Sequence, residues 1–203
     1  MPESQKYYVT FILIAVNIAV YVFTSVAGGN WAETSPEMIV QFGQVNGLVL
    51  YEGAWYQLFT SMFVHVNIVH LSGNMLFLLI FGLRAEEMFS LSEYLLIYLL
   101  GGLTGNLLSL AFLGLWIPSA GASGAIFAMF GACAIYVRRT VGQSVIGALM
   151  FAFFLLLLSS GPNVNNLAHI GGLVTGLGIG YLLASRRKPE VRYRISYSYR
   201  NPF

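Results

Sequence analysis

Two long stretches without a charged residue constrain this chain more than any other feature. No Asp, Glu, Lys or Arg occurs from Tyr94 to Val137, and none occurs from Thr140 to Ser185. Each stretch is roughly twice the ~20 residues that one membrane-spanning helix needs. Turn-forming residues interrupt the first at 116–119 (Trp-Ile-Pro-Ser) and the second at 160–163 (Ser-Gly-Pro-Asn). Each stretch therefore predicts a pair of spanning helices.

The composition agrees with a membrane protein. Hydrophobic residues make up 57% of the 203 residues and charged residues only 9%, whereas soluble domains carry about 25% charged residues. Most of the surface of this chain therefore cannot face water. We expect an all-α, polytopic membrane protein.

Two further apolar segments bring the number of predicted spans to six. They run over Tyr7–Gly29 and Leu58–Leu83. A cleaved signal peptide is the alternative for the first, but its apolar core would be too long and more spans follow. With the N-terminus inside, all ten Lys and Arg residues fall in inner segments and none in outer loops. The positive-inside rule thus predicts cytoplasmic termini, a membrane domain over 1–185 and a basic cytoplasmic tail over 186–203.

Two segments outside the spans have a distinctive composition. Residues 30–57 combine three glutamates with Trp31, Trp55 and nearby tyrosines. This favours a first loop that lies in the membrane interface over an ordinary exposed loop. The tail alternates apolar with basic residues, and we expect a loose segment that contacts anionic lipid rather than a strand.

The residue inventory limits the chemistry that the chain can perform. It contains no aspartate, three histidines and a single cysteine, Cys133. A Ser-His-Asp triad, a disulfide and a cysteine-based metal site are therefore excluded. A serine nucleophile would need a histidine dyad or an orienting glutamate.

Polar groups within spanning segments are costly and mark candidate functional sites. The candidates are His65, His70, Asn74, Asn106, Ser123 and His169. His70 and Asn74 are spaced i, i+4 and share one helix face. His65 lies five residues before His70, about 140° round a helix, and is predicted to face elsewhere. Because paired helical ligands prefer i, i+4 spacing, the histidines do not predict a metal site.

The predicted topology brings Ser123 and His169 to similar depths, near the outer starts of the fourth and sixth spans. Gly124 on the fourth span and Gly172 and Gly176 on the sixth offer faces that let two helices approach closely. The residues alone leave two interpretations open. His169 is the general base of a Ser-His dyad, or the two are ordinary helix residues with local partners.

A dyad would also need donors for a developing oxyanion. Backbone N–H groups at the start of the fourth span favour negative charge, and His70 and Asn74 offer further donors from the second span. No glutamate lies near this depth within the spans. We therefore expect a dyad without a carboxylate.

Three motifs, in order, resemble those of the rhomboid intramembrane serine proteases. His-x4-His-x3-Asn occupies residues 65–74 on the second span, and Gly-x-Ser-Gly occupies 121–124 at the fourth. Ala-His-x2-Gly-x3-Gly occupies 168–176 on the sixth. The resemblance covers roughly residues 7–185 and implies a six-transmembrane-helix bundle with an interfacial first loop.

The resemblance also implies roles for individual residues. Ser123 would be the nucleophile and His169 the general base, with the Ser123 amide, His70 and Asn74 forming the oxyanion hole. Structural support would come from His65, Glu86, Gly121, Gly124, Phe127, Gly172 and Gly176.

Two positions depart from the family pattern. Tyr56-Gln57 stands where the first loop usually has Trp-Arg, which leaves the role of that arginine open. Phe127 stands where relatives often have tyrosine; its ring can stack on His169 but offers no hydroxyl.

The expected function is that of an intramembrane serine endopeptidase that needs no cofactor or metal. Its partners would be single-span or multi-span membrane protein substrates and the lipid bilayer, not nucleic acid. We expect a prokaryotic cell membrane protein whose site opens to the outer face; no oligomeric state is predicted. The alternative is a non-catalytic rhomboid-like factor that binds or chaperones membrane proteins. A transporter is disfavoured because the spans below His169 and Asn74 are almost wholly apolar.

Overall fold

The computed structural model describes residues 8–141, 147, 151, 154 and 164–187. Within this part of the chain there are eight α-helices and two isolated β-bridges but no strand. The helices are α1 Val9–Ala27, α2 Pro36–Phe42, α3 Asn46–Glu52, α4 Gln57–Thr60, α5 Ile68–Met88, α6 Leu91–Phe112, α7 Ser123–Val141 and α8 Asn166–Arg186.

Four of these helices, α1, α5, α6 and α8, are long and apolar enough to cross a membrane. Helix α7 has 19 residues, but its small residues, together with Arg138 and Arg139, lower its mean hydropathy. It is instead enclosed by its neighbours, since every residue from Gly124 to Cys133 is buried. The predicted all-α membrane class is confirmed. The predicted fifth span lies almost wholly outside the described residues, so the number of six spans stays a prediction.

The predicted bounds of the second span, Leu58–Leu83, are wrong at both ends, because α5 runs from Ile68 to Met88. Asn67 is extended, and its side chain accepts a hydrogen bond from the His70 N–H at 2.8 Å. Such an N-cap satisfies an N–H group that the helix leaves unpaired, and so it fixes where the helix begins. His65 therefore precedes the helix instead of lying on it.

Buried amide side chains hold together the loop between α1 and α5. Gln57, which stands where the family usually has arginine, is fully buried. Its side chain accepts a hydrogen bond from the Val45 N–H at 2.9 Å and donates one to the Val40 carbonyl at 2.8 Å. Trp31 and Trp55 are exposed on the same loop. An internally bonded loop with exposed indole rings suits the membrane interface, which remains the predicted location.

Helix α7 is the centre of the bundle and packs against α5, α6 and α8. A Cβ on Gly172 would lie 1.9 Å from the Gly124 carbonyl oxygen, and one on Gly176 would lie 2.0 Å from the Ala128 carbonyl oxygen. A Cβ on Gly124 would lie 3.1 Å from the Ala168 carbonyl oxygen. These glycines let the backbones of α7 and α8 touch, which brings short side chains on the two helices within reach of each other.

Glu86, near the C-terminal end of α5, binds the first turn of α1. Its Oε1 accepts a hydrogen bond from the Thr10 N–H at 2.6 Å, one of the donors that a helix leaves unpaired at its start. Gly82 lies one turn earlier, and a Cβ there would come within 2.7 Å of the Thr10 side chain. Glu86 thus attaches α1 to the bundle.

Arg187 links α5, α6 and α7 at the point where α8 ends. Its guanidinium donates hydrogen bonds to the Met88 carbonyl at 2.5 Å and the Tyr136 hydroxyl at 2.6 Å, and it pairs with Glu93 at 2.7 Å. The rest of the predicted tail, residues 188–203, lies outside the described residues. The division between membrane domain and tail stays a prediction.

Candidate active site

Ser123 is the first residue of α7 and follows a turn that only glycine can form. Gly121 has φ +134°, a backbone conformation that would be strained for any residue with a Cβ. Its N–H donates a hydrogen bond to the Ser61 carbonyl at 2.9 Å. A Cβ at this position would also lie 2.8 Å from Cε1 of His70. The glycine therefore fixes the turn and lets the His70 ring lie against the backbone just before Ser123.

His169 reaches the same place from α8, where it lies in the first turn. Its Nε2 is 2.8 Å from Ser123 Oγ, a normal hydrogen-bond distance. The His169 side chain is buried, with 4% of the residue exposed, while Ser123 is half-buried. The two residues that the motifs single out are thus in direct contact.

The ring of Phe127 sets the orientation of the His169 ring. The two rings stack with centroids 4.6 Å apart and an interplanar angle of 23°. The other ring nitrogen, His169 Nδ1, has no hydrogen-bond partner within the described residues. In this part of the chain, the His169 ring thus has an aromatic stacking partner and no carboxylate bonded to Nδ1.

His70 lies on α5 against Gly121 of the serine turn, and Asn74 lies one turn further along the same helix. The Asn74 Nδ2 donates to the His70 carbonyl at 2.9 Å, so one of its two N–H donors is used within the helix. Asn74 is buried, and Nδ1 of His70 has no partner among the described residues. Both side chains can donate a further hydrogen bond.

The prediction that His65 faces away from His70 is wrong. The two rings pack edge to face with centroids 5.1 Å apart, because His65 lies in the turn before α5 and not on the helix. The residue is fully buried, and Nδ1 is 3.2 Å from the Phe63 carbonyl oxygen. Burial, and in second place the charge of a protonated His70, lower the pKa of His65 to about 3. His65 therefore packs as a neutral ring behind His70.

Within residues 8–141 and 164–187, no group of three or more His, Cys, Asp or Glu side chains could hold a metal ion. Glu86 serves α1 and not the site.

A polar network lies next to Ser123 and His169, and among its members only Asn106 was a candidate from the sequence. Asn165, the N-cap of α8, donates to the hydroxyls of Ser109 and Ser119. Asn106 donates to Ser61 Oγ at 2.9 Å, beside the carbonyl that receives the Gly121 N–H. Asn165 could have been found from the sequence, because an asparagine just before a helix that carries a candidate base is a typical N-cap.

The fold and the site together define a polytopic α-helical membrane protein with a Ser-His pair between two closely packed helices. The chain matches the Rhomboid domain over residues 52–186. It belongs to the rhomboid family.

Several curated relatives are similar to this chain. It is 36% identical over 180 residues to "Rhomboid protease GluP" of Bacillus subtilis (strain 168), with 86% of this chain and 34% of that protein covered. It is 39% identical over 134 residues to "RHOMBOID-like protein 6, mitochondrial" of Arabidopsis thaliana, covering 63% and 43%. It is 29% identical over 181 residues to "Rhomboid-like protease 2" of Toxoplasma gondii, covering 85% and 64%. The chain thus spans less than two thirds of the length of each of these relatives.

Proposed function

We propose that this chain is an intramembrane serine endopeptidase in which Ser123 is the nucleophile and His169 the general base. The observation that carries the proposal is the 2.8 Å separation of His169 Nε2 and Ser123 Oγ inside an apolar helix bundle. Two relatives whose names include the word protease support a proteolytic activity. The substrates would be membrane proteins, cut in or near a transmembrane segment.

The first chemical step is attack by Ser123 on the scissile carbonyl. Neutral His169, with its proton on Nδ1, accepts the hydroxyl proton at Nε2 as the Oγ–C bond forms. The tetrahedral intermediate then collapses, and His169 gives the proton to the leaving amine. Water hydrolyses the acyl-enzyme by the same steps, with His169 again taking and returning one proton. No carboxylate takes part in this scheme, and the Phe127 stack holds the ring in place.

The oxyanion is stabilised by donors beside the nucleophile. The Ser123 N–H is at the start of α7, where the helix dipole favours negative charge. His70 lies against Gly121, and the free N–H of the Asn74 amide adds a third donor. Such pre-positioned donors lower the barrier because they need no rearrangement as the charge develops.

The side of the membrane follows from the charge map. Every lysine and arginine falls in a segment assigned to the inner side, and Ser123 and His169 lie at the opposite ends of their helices. The site would therefore open to the outer face of a prokaryotic cell membrane, with both termini cytoplasmic.

Cleavage of a single-span reporter in liposomes tests the proposal. Ser123→Ala should abolish cleavage, because no other hydroxyl contacts His169 Nε2 among the described residues. Ser185→Ala makes the same replacement at an exposed serine whose Oγ bonds only its own helix, and should cleave at the parental rate. Cleavage by Ser123→Ala at the parental rate would refute the assignment. Reporter binding by the parent without cleavage would favour the non-catalytic alternative.

Phe127→Leu should lower kcat roughly tenfold with little change in KM, because an aliphatic side chain cannot stack on the His169 ring, and small errors in the geometry of a base are costly. Phe127→Tyr keeps the ring and should stay within about twofold of the parent. Steady-state kinetics of reporter cleavage measures both. Parental kcat in the leucine variant would show that stacking does not orient the base.

The rate should fall as the pH is lowered, because a protonated His169 cannot accept the Ser123 proton. Histidine has an ordinary pKa of about 6.5. His65 would not contribute to this limb above its own pKa of about 3. We expect kcat/KM to decline tenfold per pH unit on the acid side. A flat profile down to pH 3 would exclude a histidine base.

A further inference from the structure

One half-buried amide, that of Asn165, joins the segment that carries the nucleophile to the helix that carries the base. Asn165 Nδ2 lies 2.7 Å from Ser119 Oγ and 2.7 Å from Ser109 Oγ. Its Oδ1 accepts the Ala168 N–H at 3.2 Å and so caps α8. Ser119 precedes Ser123 by four residues, and Asn165 precedes His169 by four residues. The amide therefore bonds both chain segments four residues before the side chains that carry the reacting atoms.

The two serine hydroxyls that receive these bonds are themselves fixed. Ser119 and Gln44 exchange a pair of backbone hydrogen bonds at 2.8 and 2.9 Å. Ser109 is fully buried on α6, and its hydroxyl donates to the Gly105 carbonyl at 2.8 Å, which leaves its lone pairs for Asn165. Both N–H groups of the amide are thus used on rigid acceptors.

We propose, on the basis of the function proposed above, that Asn165 is a positioning residue that sets the distance between Ser123 and His169. Residues 119–122 are not helical, so Ser123 depends on contacts of that turn for its position. Capping α8 would need only the Oδ1 atom. The two N–H donors of the amide have a second role. They fix the start of α8 relative to the turn before Ser123 and to α6.

Serine at position 165 separates these two tasks. Serine caps helices about as well as asparagine, but its single hydroxyl cannot cap and also donate to two acceptors. Ser119→Ala breaks the same link from the other side and leaves the cap untouched. Ser185→Ala is the matched serine control, because its hydroxyl bonds only the Tyr181 carbonyl on its own helix.

The test measures kcat, KM and the thermal unfolding midpoint of the full chain in liposomes or detergent with the single-span reporter. We expect Asn165→Ser and Ser119→Ala each to lower kcat about tenfold, with KM and the unfolding midpoint close to the parental values. Both variants remove the hydrogen bond between Asn165 and Ser119. The double variant should therefore also lose about tenfold in kcat and not about a hundredfold. Ser185→Ala should be unchanged.

The proposal is overturned if either single variant keeps the parental kcat, if the two losses multiply, or if kcat falls only in step with the unfolding midpoint. Ser123→Ala, assayed alongside, separates this failure from that of the proposed function. If Ser123→Ala is inactive while Asn165→Ser and Ser119→Ala are parental, only the positioning role is wrong. If Ser123→Ala cleaves normally, the proposed function itself fails.

Discussion

Replacement of His169 by glutamine is expected to lower kcat for reporter cleavage by about 10²–10⁴-fold, the usual contribution of a general base. Glutamine is polar and comparable in length, so it fills the space next to Phe127, but it cannot take a proton from Ser123. Since the ring donates no structural hydrogen bond from Nδ1 within the described residues, the fold should tolerate the change. Steady-state kinetics in liposomes measures kcat, and cross-linking of the reporter measures binding.

The control is the unfolding midpoint, which should stay near that of the parent. A glutamine variant that binds the reporter and cleaves it within tenfold of the parental rate would show that another group activates Ser123. A variant that neither folds nor binds would be replaced by His169→Asn, which makes the same test with a smaller side chain.

Gly172→Ala is expected to destabilise the protein and to abolish cleavage. The new Cβ would lie 1.9 Å from the Gly124 carbonyl oxygen, a backbone atom that cannot rotate away. Helices α7 and α8 would have to separate, and overpacking of this kind costs about 1–3 kcal/mol or more. Separation also carries His169 away from Ser123, because the contact is one turn from the dyad. The unfolding midpoint and the rate of reporter cleavage should both fall.

Gly178→Ala is the matched control on the same helix. A Cβ at Gly178 meets no atom within 4 Å, and alanine is up to about 1 kcal/mol more favourable than glycine in a helix. This variant should keep the parental rate and an equal or higher unfolding midpoint. If Gly172→Ala behaved like Gly178→Ala, the close packing of α7 on α8 would not position the dyad.

The helical membrane class could be predicted from the sequence because a span through lipid must be apolar and nearly free of charge. Charge-free segments must be spanning helices or their connections, and the basic residues assign a direction to each span. Those two facts place Ser123 and His169 near the starts of helices that run the same way. The small residues Gly124 and Gly172 then indicate that the two helices approach closely.

The environment of His65 could not be predicted in the same way. No charged residue, glycine or proline interrupts residues 58–66, so hydropathy extends the predicted helix too far toward the N-terminus. A single side chain, Asn67, decides where α5 begins. Hydropathy carries no information about such a cap, and the error moved His65 from the turn beside His70 to the wrong face of a helix.

The polar connections around the dyad were also beyond the sequence. Asn165 and Ser119 are 46 residues apart and bond through non-helical segments. The Gln57 side chain holds the first loop together by hydrogen bonds to backbone groups of Val40 and Val45. Contacts of this kind depend on tertiary packing and leave no periodic pattern, so only the three-dimensional structure reveals them.

The most direct measurement of the central claim is mass spectrometry of the protein after reaction with a fluorophosphonate serine-hydrolase probe in liposomes. The account predicts one adduct, on Ser123, in the parent chain and in Ser185→Ala. It predicts no adduct in Ser123→Ala and labelling at least about 10²-fold slower in His169→Gln. An unlabelled Ser123 in the folded parent, or equal labelling with and without His169, would contradict it.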